Sequence, residues 1–109
     1  MLWSRVKTWI GKFKKRQSLK IGNAYAAEAG FFAGQLFIFV RKNPDGTYGF
    51  LKIPSMENEN ITQEKFDFGV TNDILVYVET LPRFVRNTAK LKFEENLQFK
   101  TQQRFTDSD

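Results

Sequence analysis

Apolar residues near the start of the chain recur at steps of three and four: Leu2, Trp3, Val6, Trp9, Ile10 and Phe13. Arg5, Lys7, Lys12 and Lys15 fall largely on the other side. That spacing predicts an amphipathic helix over about residues 2–16, and Ser18 and Gly22 mark the change of structure after it. The next stretch, 19–54, reads as β. Leu19-Lys20-Ile21 and Tyr25-Ala26-Ala27 suit a first short strand interrupted at Gly22-Asn23, and Gly30 and Gly34 frame a turn around Phe31-Phe32. Leu36 to Arg41 and Tyr48 to Ile53 are runs of bulky and β-branched residues. Between them, Asn43-Pro44-Asp45-Gly46 supplies the dihedrals of a tight reversal. A hairpin of 35–42 with 47–53 follows, ended by Pro54.

The second half is more mixed. Met56 to Asn60 is polar and acidic and reads as a loop, and Thr62 is placed to cap a helix. After it Phe66, Val70, Ile74, Tyr77, Val78 and Leu81 keep helical spacing, with Gly69 and Thr71-Asn72 able to break it in two. Pro82 stops that helix and opens another from its first turn. Val85, Ala89, Phe93 and Leu97 step by four, which favours a helix over 84–101. A second hairpin turning at Glu95-Asn96 is the alternative, because Ala89, Leu91, Phe93 and then Leu97, Phe99, Thr101 also alternate with period two. The expected fold is α+β: an N-terminal amphipathic helix or arm at 1–17, a domain at 18–101 with a small antiparallel sheet around the 35–53 hairpin and one or two C-terminal helices, and a polar, frayed tail at 102–109.

Charge sharpens the picture of the arm. Residues 1–20 hold seven of the chain's 17 basic residues and none of its 12 acidic ones. The arm is therefore +7 and the remainder −2, against a net charge of +5. A near-neutral domain with a strongly basic arm points to an anionic partner: nucleic acid, an acidic protein or an anionic membrane surface. Lysines interrupt every candidate signal-peptide core. The longest apolar run, Phe31 to Val40, is ten residues with Gly34 and Gln35 inside it, whereas a bilayer span needs about 20. A soluble or peripheral protein, not secreted, is expected.

The chain has no His and no Cys, which removes the usual general base, the usual zinc ligand, the thiolate nucleophile and any disulfide. Ser4, Ser18, Ser55 and Ser108 have no histidine to activate them and no G-x-S-x-G around them. Gly30 and Gly34 open no phosphate loop, since no Gly-Lys-Ser/Thr follows. Glu57, Glu59, Glu64 and Asp67 are close in sequence, but a loop and a helix start is where solvated acids belong. Neither an enzyme nor a cofactor is expected. Phe31, Phe32, Phe37, Phe39 and Phe50 could make a base-stacking sheet face. Phe37 and Phe39 alternate with Leu36, Ile38 and Val40, however, so both faces of that strand are apolar and core packing is the better reading.

The runs Gly22-Asn23-Ala24-Tyr25, Ala29-Gly30-Phe31-Phe32-Ala33-Gly34, Phe50-Leu51-Lys52-Ile53-Pro54-Ser55-Met56, Phe66-x-x-Gly69 and Val78-Glu79-x-Leu81-Pro82 resemble small proteins of large marine tailed phages of cyanobacteria, over about residues 18–96. The resemblance implies a phage accessory or virion component, in the virion or the host cytoplasm. It carries over no catalytic residue.

These readings converge on a non-catalytic interaction or structural protein. Leu2, Trp3, Val6, Trp9, Ile10 and Phe13 would dock into a protein partner or a second copy. Arg5, Lys7, Lys12, Lys14, Lys15, Arg16 and Lys20 would meet its anionic surface. Binding of nucleic acid or of anionic membrane by the same basic cluster is the alternative, and no small-molecule substrate is expected. The simplest competing reading has the helix close the protein's own core. An apolar stripe of that size must be covered by something.

Overall fold

The computed structural model describes residues 19–107, with side chains described to Phe99. Its elements are β1 (Asn23–Ala27), β2 (Leu36–Lys42), β3 (Tyr48–Ile53), β4 (Asn58–Ile61), α1 (Gln63–Thr71), β5 (Leu75–Thr80) and α2 (Arg83–Asp107). The strands form one antiparallel sheet in the order β4-β3-β2-β1-β5. Helix α1 carries the chain from the β4 edge to the β5 edge over one face, and α2 lies against β2 and β3 on the other. The fold class is α+β. The predicted N-terminal helix, with all its candidate site residues except Lys20, lies outside the described residues.

The hairpin is where the sequence placed it, with Phe37 opposite Lys52 and Ile38 opposite Leu51. Asp45 accepts hydrogen bonds in the turn from the Thr47 backbone N–H (2.9 Å) and hydroxyl (2.6 Å). Central β2 is apolar on both faces because both are covered. Tyr25, Phe37, Phe39, Phe50, Phe66 and Leu75 make one core under α1, and Ile38, Val40, Leu51, Ala89 and Phe93 make the other under α2. In the first, Phe50 stacks on Phe66 at 5.7 Å and Tyr25 meets Phe66 edge-on at 5.2 Å. Each such ring removed from water contributes about 1.5–3 kcal/mol. Thr62 caps α1 by accepting from the Lys65 N–H at 3.2 Å. At the start of α2, Arg86 N–H donates to Pro82 C=O at 3.0 Å. Residues 84–101 lie within this helix, which settles their choice of period, and its span to Asp107 contains most of the stretch expected as a frayed tail.

Three expectations are corrected. The polar stretch read as a loop at 56–60 forms the edge strand β4 from Asn58 onward, and its side chains show why a polar sequence pairs there. Asn58 donates to Phe93 C=O at 3.0 Å, Asn60 accepts from Asn43 at 2.9 Å, and Glu59 pairs with Lys52 at 3.3 Å. The helical spacing through Ile74, Tyr77, Val78 and Leu81 is a coincidence of step. Asn72 caps α1 through Phe68 C=O and Val70 C=O, Asp73 turns the chain at φ 57°, and 75–80 becomes a strand along β1. Leu19 to Ile21 is not strand, and Asn23, read as an interruption, opens β1 and is buried.

Candidate interaction surfaces

The described chain enters at the root of the basic arm. Exposed Lys20 and the turn through Gly22 lead into β1, with Asn23 N–H donating to Lys20 C=O at 3.0 Å. Gly22 sits at φ 93°, and a Cβ on it would lie 2.0 Å from Arg86 Cδ. Only glycine combines that dihedral with that approach. Leu81 N–H donates to Gly22 C=O at 2.9 Å. Residues 20–22 therefore lie beside the start of α2.

The first turns of α2 carry a surface that the sequence reading did not single out. From Thr80 to Phe93 there are four basic residues, Arg83, Arg86, Lys90 and Lys92, and no acidic one. Ala89 and Phe93 face the core, and the opposite side of the helix exposes Phe84 (82%) and Leu91 (67%). Arg83 and Lys90 are exposed as well, and Lys92 is half-buried and reaches Glu95 at 3.5 Å. No ion pair among the described residues involves Arg83, Arg86 or Lys90. The available signal was the acid-free interval between Glu79 and Glu94. It was obscured because α2 is apolar on two opposite sides.

A second exposed aromatic stands on the β1–β2 turn. Phe31 is 95% exposed while Phe32 beside it, edge-on at 5.2 Å, packs against Phe37 and beneath the Lys52 ammonium, 4.4 Å from the ring centroid. Core packing holds for Phe37, Phe39 and Phe50 and fails for Phe31. The candidate carboxylates separate: Glu59 belongs to an ion pair with buried Lys52, and Glu64 lies in the first turn of α1, where the dipole favours it. Among the described residues no group of three or more acidic side chains gathers to hold a metal, and no helix is long and apolar enough to cross a membrane.

Comparison of the chain with protein-family models, with curated proteins and with solved structures finds no match.

Proposed function

We propose that this is a non-catalytic interaction protein that docks through its basic amphipathic N-terminal segment. Leu2, Trp3, Val6, Trp9, Ile10 and Phe13 supply the buried area, and Arg5, Lys7, Lys12, Lys14, Lys15, Arg16 and Lys20 orient the segment on an acidic surface of a protein partner. The observation that carries this reading is the pairing of a +7 segment bearing six large apolar side chains with a domain whose sheet is packed on both faces by residues between Leu19 and Leu97. Six such side chains, at about 1.5–3 kcal/mol each when fully buried, suffice for docking without help from charge. The resemblance to phage proteins suggests a virion or accessory component as the setting.

Tryptophan fluorescence tests the proposal, because Trp3 and Trp9 are the chain's only tryptophans. The isolated protein should emit at long wavelength and be quenched by acrylamide. A partner should shift the emission to the blue and protect it, in a complex that survives added salt. Emission that is blue-shifted and protected from the outset, in a monomer, would show the segment closing its own core and would end the docking reading.

A further inference from the structure

We infer that the outward side of α2 between Arg83 and Lys92 is a contact surface for single-stranded nucleic acid. This goes beyond docking by the N-terminal segment and does not depend on it. Residues seven apart on a helix fall within about 20° of one another, so three columns form, set about 100° apart around the helix, with Asn87 and Thr88 in the gaps between them. Phe84 and Leu91, both exposed, form the middle one. Arg83 and Lys90 flank it on one side, and Val85 and Lys92 on the other. An exposed aromatic beside Arg83 and Lys90, which take part in no ion pair among the described residues, matches what a single strand offers, since phosphates want the cations and an unpaired base wants a ring to stack on.

Charge also decides against the other covers. The N-terminal segment is +7, and laying it here would set lysine beside Arg83 and Lys90. A second copy would bring Arg83 and Lys90 against the same two cations. An interfacial helix needs a broad continuous apolar face, whereas exposed Asn87 and Thr88 interrupt this one. A polyanion with flat apolar faces of its own remains.

The test is fluorescence anisotropy of the full-length protein with a labelled oligothymidylate of about 20 nucleotides, from about 50 to 300 mM salt, beside a duplex and phosphatidylserine vesicles. Wild type should bind the single strand with salt-dependent affinity. Arg83→Ala/Lys90→Ala should weaken binding and reduce the salt slope by about 1.4, at about 0.7 per lost phosphate contact. Phe84→Ala should weaken it about fivefold or more with the slope unchanged. All three side chains face solvent, and melting curves together with an Arg83→Gln/Lys90→Gln variant control for folding. Wild-type binding by both α2 variants, with loss only in a K12A/K14A/K15A/R16A variant, overturns the inference and moves the contact to the arm. Capture by vesicles without oligonucleotide binding also overturns it. Neither result touches partner-induced burial of Trp3 and Trp9, so the two proposals fail separately.

Discussion

Asn23 shows how much one buried side chain can organise. It is 1% exposed, donates from Nδ2 to the Tyr25 hydroxyl at 3.1 Å, and accepts from Thr80 Oγ1 at 2.8 Å. With the Thr80 proton committed to Asn23, Tyr77 is the donor in its 2.7 Å contact with Thr80. This relay stitches β1 to β5 beside the bulge at Ala24/Tyr25. In the sequence, Asn23 after Gly22 looks like turn material, because a buried asparagine is distinguished only by partners far along the chain. The relay has a pH signature. Burial pushes the Tyr25 phenol above its usual 10.0, with the Asn23 donor partly offsetting it. Below that pH both states keep the proton. Above it the unfolded chain ionises first, so stability falls as pH rises from about 10 toward the folded value. Tyr25→Phe should therefore lose less stability than wild type between pH 9 and 11, while costing about 0.5–1.5 kcal/mol at neutral pH through loss of the Asn23–Tyr25 hydrogen bond. Urea midpoints of both proteins at several pH values check this, the difference between the two isolating the Tyr25 phenol. Parallel declines would refute it.

At the scale of elements, legibility followed the strength of local signals. The β2–β3 hairpin was readable because turn residues and flanking β-branched runs agree. Strand β5 was not, since Tyr77, Val78 and Leu81 fit a helical step equally well and only pairing with β1 decides. Helix α2 won over a second hairpin because Ala89 and Phe93, one turn apart, both face β2 and β3. That contact is unusually close. Phe93 is fully buried, Arg41 lies 5.2 Å from its ring centroid, and a Cβ on Gly49 would come 2.7 Å from Phe93 Cζ. Gly49→Ala should thus destabilise by about 1–3 kcal/mol through overpacking. In a Phe93→Leu background the obstructing ring atom is gone and the penalty should shrink, giving a coupling of at least about 0.5 kcal/mol in a double-mutant cycle. Strict additivity would mean that Gly49 matters for some reason other than the ring.

The described part of the molecule is a sheet between two helices, and the sequence that precedes it is strongly basic. Both layers around the sheet were foreshadowed by β2, whose alternating Phe37, Phe39 and Ile38, Val40 demanded cover on each face. The concentration of basic charge at the N-terminus is a property of the sequence, and the helix expected there lies outside the described residues. The α2 surface was not legible, because Phe84 and Leu91 read as core until Ala89 and Phe93 are seen to occupy the sheet side. This division of labour predicts the outcome of removing residues 1–18. Among the described residues both cores are built from Leu19 to Leu97, and if the N-terminal segment is a docking segment the shortened chain should keep its β-sheet circular dichroism and one cooperative melt. Deletion removes every tryptophan and most of the arm's charge, so binding of the protein partner should vanish. Oligonucleotide binding should persist at a lower salt slope, carried by Arg83, Phe84 and Lys90. A non-cooperative melt or aggregation on deletion would instead assign Leu2, Trp3, Val6, Trp9, Ile10 and Phe13 to the core. An apolar stripe that holds the domain together cannot also be its free docking face, so that single result would withdraw the proposed function while leaving the outward side of α2 to be judged on its own binding.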